Sequence, residues 1–140
     1  MYTLLMSENK KYSKMHPWLI VGAGGFLGAI LRYAVGGWIQ RGMESFPLGT
    51  FVINFTGSLA LALVMYSSEY GGVFSPEERM FLTIGVMGAY TTMSTFSYES
   101  FRLFEEGQLP LFALNVLGTL ASCLFAIYLG RLIVLSYLNM

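Results

Sequence analysis

The chain has 140 residues, 55% hydrophobic and only 11% charged, with a mean hydropathy of +0.60; a water-soluble domain carries about 25% charged residues. Eight Lys+Arg balance eight Asp+Glu, and the missing basic excess argues against nucleic acid as a partner. One Cys and one His exclude an intramolecular disulfide and the usual zinc site, and leave any serine–histidine chemistry to His16 alone, so the composition is that of an all-α membrane protein rather than an enzyme.

Residues 1–16 form a polar tail carrying Lys10, Lys11 and Lys14. No cleavage site follows it, so the first apolar run is read as a retained helix rather than a signal peptide. Four prolines, Pro17, Pro47, Pro76 and Pro110, each stand before a long apolar run, and proline suits the first turn of a helix, where its missing N–H would be unpaired anyway. The predicted helices run about 17–40, 47–69, 76–104 and 110–137, all within one domain over 17–140. The third start is the best marked, because Ser75-Pro76-Glu77-Glu78 has the spacing of a capping box. Each run reaches the roughly 20 residues needed to cross ~30 Å of hydrocarbon, and the short connections predict antiparallel neighbours with both termini on one side. Lys and Arg flank the two sides almost evenly once the tail is set aside, so the positive-inside rule leaves insertion in both orientations open.

Inside lipid a polar side chain is costly unless it finds a partner or lines a wet cavity. Arg32 reads either as an arginine snorkelling to the nearer interface or as a fixed positive charge at the mouth of an anion path. The Gly24-xxx-Gly28 face before it lets another backbone approach closely. A dinucleotide loop at Gly22-x-Gly24-xxx-Gly28, with Glu44 as the ribose partner, would need a βαβ unit, which the sequence does not offer. Asn54 and Asn115 each bring two N–H donors and an acceptor, to join helices or to bind an anion. They share the pattern Phe-x-x-Asn-x-x-Gly-[Ser/Thr]-Leu-Ala, at 51–60 and 112–121, which a duplication or common packing demands would equally produce. Thr119 and Cys123 follow Asn115 at i+4 and i+8 on one helix face, as a helix contact or a pore wall.

The third helix carries the most specific signal. Between Gly85 and Ser97 it holds Gly88, Tyr90, Thr91, Thr92, Ser94, Thr95 and Phe96. Glycine and β-branched threonine both weaken a helix, and a continuous helix of about 29 residues, ~43 Å, is longer than the bilayer needs. These features predict a break near Gly88–Thr92, where freed carbonyls commonly hold a cation. The alternative is an unbroken, tilted helix whose hydroxyls bond back to i−4 carbonyls.

Three blocks in order carry a family resemblance: Gly24-xxx-Gly28-Ala29-xx-Arg32-Tyr33, Gly49-Thr50-xx-Ile53-Asn54-xx-Gly57-Ser58, and Gly85-xx-Gly88-xx-Thr91-Thr92-x-Ser94-Thr95-Phe96-Ser97-x-Glu99. From about residue 17 to its end the chain resembles the Fluc (CrcB) family of fluoride channels. The resemblance implies four-helix subunits with a broken third helix, assembled in a bacterial inner membrane as antiparallel, dual-topology homodimers with two pores. It implies a central structural Na⁺ held by the backbone carbonyls of Gly88 and Thr91 from both subunits. It further implies a pore phenylalanine at Phe96, a polar track of Ser94, Thr95, Asn115, Thr119 and Cys123, an anion vestibule with Arg32 and Asn54, and Glu99 in the pore region. The sequence departs from the family at two of these places: Met93 stands where the family has a second pore phenylalanine, and Cys123 where it usually has a hydroxyl. Fluoride is small and strongly hydrated, so hydroxyl and amide donors suit it, with a buried cation offsetting its charge. Transport would be passive export.

Two rival functions fit the same outline. A dual-topology, proton-coupled exporter of the small multidrug type needs a titratable carboxylate in the membrane core, whereas the first helix offers Arg32 and Glu99 lies near the far end of the third. A non-conducting membrane subunit would use the polar residues only as packing contacts.

Overall fold

The computed structural model describes residues 16–43 and 45–139. The tail before His16, with its three lysines, and Glu44 lie outside the described residues. The elements in chain order are α1 (Pro17–Gln40), α2 (Leu48–Gly71), α3 (Pro76–Met80), a π-helical segment (Phe81–Met87), α4 (Gly88–Tyr90), α5 (Met93–Glu105) and α6 (Leu109–Tyr137). No strand occurs among the described residues.

Local chemistry accounts for the helix ends. Proline occupies the first turn of α1, α3 and α6, whereas Pro47 stands one residue outside α2, at its N-cap. At the start of α3 the Glu78 N–H donates to Ser75 Oγ (3.3 Å) and the Ser75 N–H donates to Glu78 Oε2 (2.9 Å), the reciprocal pair that the Ser75–Glu78 spacing implies. Gly72 closes α2 in the left-handed region, with φ 60°, where a side chain would be strained.

Among the described residues three helices are long and apolar enough to cross a membrane: α1 and α2 with 24 residues each and α6 with 29, about 36 to 43 Å at 1.5 Å per residue. The path from Pro76 to Glu105 has the length of a fourth but is interrupted at Thr91–Thr92.

The most extensive contacts join α2 to α6 and α1 to the π-helical segment. The second pairing depends on glycine. A methyl group on Gly24 would lie 2.6 Å from the Phe81 carbonyl oxygen and 2.9 Å from Gly85 Cα, and one on Gly28 would collide with the Val86 carbonyl. The Gly24-xxx-Gly28 face therefore brings two backbones into contact, the role that small residues serve between membrane helices.

The interior is as polar as it is apolar. Thr50, Asn54, Thr83, Thr92, Ser100, Asn115 and Thr119 are buried alongside Ile20, Ile53, Ala62, Met80, Val86, Leu103, Ala126 and Val134. Outward stand Trp18, Phe26, Tyr33 and Trp38 on α1 and Leu117, Leu120, Leu124 and Phe125 on α6. Water would penalise such a surface; lipid accepts it, provided that every buried polar group is satisfied within the protein.

Candidate functional site

The candidate site is built around the interruption. Helical geometry ends at Tyr90, Thr91 (φ −75°, ψ 157°) and Thr92 (φ −147°, ψ 115°) are extended, and α5 restarts at Met93. In an unbroken helix the Thr92 N–H would donate to the Gly88 carbonyl and the Thr95 N–H to the Thr91 carbonyl. Both are diverted. The Thr92 N–H donates to Asn54 Oδ1 (2.9 Å) and the Thr95 N–H to Thr92 Oγ1 (3.2 Å).

Asn54 on α2 completes the clamp by donating from Nδ2 to the Thr92 carbonyl at 3.2 Å. One side-chain amide thus satisfies both backbone groups of a buried residue that has left the helix ladder, where an unpaired group costs about 1–3 kcal/mol. Thr92 Oγ1 also donates to Thr95 Oγ1 (3.0 Å) and lies 3.3 Å from Ser94 Oγ. On the other side of the break, the Thr91 N–H and Oγ1 both donate to the Met87 carbonyl, at 3.0 and 2.9 Å. Gly57 of α2 makes room for this turn: a methyl group there would collide with Thr91 Cγ2 and lie 3.0 Å from Tyr90 Cδ1. The Tyr90 hydroxyl is 3.0 Å from Thr56 Oγ1.

A cavity of about 360 Å³ opens beside the break, with Asn54, Met93, Phe96, Thr119 and Cys123 among its walls together with Gly88 and Thr91. Behind Phe96 runs a buried ladder. Ser100 Oγ donates to the Phe96 carbonyl (2.7 Å), Asn115 Nδ2 donates to Ser100 Oγ (2.9 Å), and Thr119 Oγ1 donates to Asn115 Oδ1 (3.5 Å). This ladder fixes the backbone of α5 at Phe96 against α6. Thr92 also borders a second cavity, of about 430 Å³, lined by Arg32, Thr50, Thr95 and Glu99. The Thr50 hydroxyl lies against the Glu99 carboxylate, whose Oε2 is buried without a hydrogen-bond partner among the described residues. No group of three or more His, Cys, Asp or Glu that could hold a metal occurs among the described residues.

The family model described as "CrcB-like protein, Camphor Resistance (CrcB)" matches residues 19–131. The chain belongs to this family. Among CrcB relatives, "Fluoride-specific ion channel FluC 1" of Methanosarcina acetivorans is 52% identical over 122 residues, covering 87% of this chain and 93% of that protein. "Fluoride-specific ion channel FluC 3" of Methanosarcina barkeri is 53% identical over 122 residues, covering 87% and 92%. "Fluoride-specific ion channel FluC" of Geotalea uraniireducens is 40% identical over 116 residues, covering 82% and 94%.

Within this CrcB chain the residues singled out from sequence do not share one compartment. Asn54, Met93, Phe96, Thr119 and Cys123 border the first cavity with Gly88 and Thr91, whereas Arg32, Thr95 and Glu99 border the second. Asn115 is fully buried behind them, and Ser94 is exposed on the single chain. Sequence reasoning missed Ser100, which joins Asn115 to Phe96, and, although it noted Tyr90, it missed that residue's pairing with Thr56. Ser100 lies one helical turn beyond Phe96, the spacing at which a hydroxyl reaches the i−4 carbonyl, and that was the available signal.

Proposed function

We propose that this protein is a passive fluoride-selective channel of the plasma membrane, working as an antiparallel homodimer with two pores and a central structural sodium ion. The observation that carries the reading is the cavity at the Thr91–Thr92 break, where amide and hydroxyl donors meet the Phe96 ring, in a chain whose relatives are named fluoride-specific ion channels. A small, strongly hydrated anion needs its water replaced by donors. Asn54 has one further N–H beyond the one given to Thr92, and Ser58 brings a hydroxyl to the same cavity. The edge of an aromatic ring is electropositive, so Phe96 can face an anion without trapping it. Thr92 caps the N-terminus of α5, whose dipole favours negative charge at that end.

The donor set at the break suits a hard cation. The Gly88 and Thr91 carbonyls are deprived of their helical N–H partners, and carbonyl oxygens are ligands of hard ions. Gly88 is exposed, and a methyl group there would meet nothing closer than the Thr83 carbonyl at 3.7 Å. Its own chain leaves this side open to the approach of a second copy. A bound Na⁺ would supply positive charge that offsets the anion's. Preparations freed of Na⁺ should lose dimer stability and flux together; full retention of both would remove the ion from the account.

Purified protein in liposomes, clamped with K⁺ and valinomycin and read by fluoride and chloride electrodes, should release fluoride rapidly and hold chloride. A verified dimer that releases no fluoride would instead favour the proton-coupled exporter or the non-conducting subunit.

A further inference from the structure

The break has a second tether to α2, which the fluoride reading leaves unused. Tyr90 is the last residue of α4, and its hydroxyl lies 3.0 Å from Thr56 Oγ1. Thr56 decides the direction of that bond. Its own hydroxyl donates to the Val52 carbonyl at 2.7 Å and leans toward the Ile53 carbonyl at 3.3 Å. A hydroxyl has one proton to give, so the Tyr90 phenol is the donor. Asn54 of the same helix accepts from the Thr92 N–H at 2.9 Å, and Gly57 leaves the room that Thr91 and the Tyr90 ring fill. Residues 54, 56 and 57 of α2 thus hold Thr92, Tyr90 and Thr91, the three at which the helix gives way.

These contacts govern two carbonyls. The Thr91 carbonyl and the Thr92 N–H belong to one planar, trans peptide and point in opposite directions. With the N–H aimed at Asn54, the Thr91 carbonyl is turned away from it. The same diversion releases the Gly88 carbonyl from the N–H that it would accept in a continuous helix. Asn54 pins this peptide plane on its far side. On the near side the chain reaches α2 through the Tyr90 phenol. Resting on the sodium reading above, we propose that the Tyr90–Thr56 hydrogen bond aims the Thr91 carbonyl at the structural cation, which makes Tyr90 and Thr56 positioning residues of the ion site. Neither residue lines either of the two cavities, so both act through the backbone and stand outside the anion path. Groups that orient a metal ligand without touching the metal set its affinity in the same way.

The test is equilibrium dialysis of the full-length protein, at verified dimer content in detergent, against radioactive Na⁺ in N-methylglucamine buffer. Tyr90→Phe keeps the ring against Gly57 and removes only the hydroxyl. It should weaken Na⁺ binding by about tenfold, the low end for losing a group that orients a metal ligand. Thr56→Val, which removes the acceptor and leaves Tyr90 in place, should weaken it equally and carries the test should Tyr90→Phe fail to fold. The double variant should be no worse than either single, because both remove the same bond. Thr56→Ser returns the acceptor and should bind Na⁺ as the wild type does. A lower melting temperature in Tyr90→Phe and Thr56→Val with unchanged Na⁺ affinity would show a packing contact only and overturn the proposal. Weakening by Thr56→Ser as great as by Thr56→Val would overturn it too, since the hydroxyl would then not be the cause. A wild-type dimer that binds no Na⁺ would remove the ion and the proposal together, whereas Na⁺ binding unchanged in the variants would remove the proposal alone. No ion flux is read, so the fluoride reading stands or falls separately.

Discussion

Asn54 on α2 and Asn115 on α6 sit in the same ten-residue pattern, yet they do different work. Asn54 binds the backbone of Thr92 on both sides, accepting at 2.9 Å and donating at 3.2 Å. Asn115 binds side chains, donating to Ser100 Oγ at 2.9 Å and accepting from Thr119 Oγ1 at 3.5 Å. The difference lies in what stands opposite. Asn54 faces a residue that has left its helix and exposes an N–H and a carbonyl. Asn115 faces α5 where its ladder is intact, so only a hydroxyl is available. The glycines of the pattern diverge as well: a methyl group on Gly57 would collide with Thr91, but one on Gly118 would lie 3.5 Å from Phe51 Cε2, an ordinary contact. A shared pattern thus fixes which residues face inward, and the opposing helix decides their function.

The largest effect should come from Asn54→Ala, which strands two buried backbone groups. We expect a loss of about 2–4 kcal/mol, read by thermal unfolding in detergent, with fluoride flux falling as well; unchanged unfolding would show that water replaces the clamp. Gly57→Ala should cost about 1–3 kcal/mol by overpacking against Thr91 in the same unfolding measurement. Asn115→Ala should cost a similar or smaller amount, about 1–2 kcal/mol, because its partner Ser100 keeps the Phe96 carbonyl as an acceptor. Ser100→Ala should cost about 1 kcal/mol, and the Ser100→Ala/Asn115→Ala double variant should be less destabilised than the sum of the singles, the sign of a direct contact. Gly118→Ala should be neutral or stabilise by up to about 1 kcal/mol through helix propensity. A large loss at Gly118, equal to that at Gly57, would erase the contrast between the two regions.

Much of this was legible in the sequence. The proline-led apolar runs mark the helices because helix starts and lipid burial are local demands, and the Ser75–Glu78 cap is set by neighbours three residues apart. The density of glycine and threonine around Gly88–Thr92 locates the weak point of the third helix, since those residues lower helix stability wherever they stand. The Gly24-xxx-Gly28 face announces a close approach without naming its partner, which is the backbone from Phe81 to Val86. Long-range partners were not legible. Nothing local to Asn54 points to Thr92, 38 residues away, and a buried Asn115 demands a partner without specifying Ser100. The π-helical turns of Phe81–Met87 lie against α1, and a tertiary contact of that kind leaves no periodic trace. The division of the site into two cavities, with Arg32 and Glu99 on one side of Thr92 and Phe96 and Thr119 on the other, follows from the turn at the break and has no counterpart in the order of residues along the chain.

The measurement that bears most directly on the central claim is fluoride efflux from liposomes containing Phe96→Ile, compared with wild type at equal, verified dimer content. Isoleucine keeps the bulk but removes the electropositive ring edge from the cavity at the break. The account predicts that fluoride release slows greatly while unfolding and assembly are unchanged. Release at the wild-type rate from an intact dimer would contradict it, because the anion would then be passing somewhere other than beside Phe96.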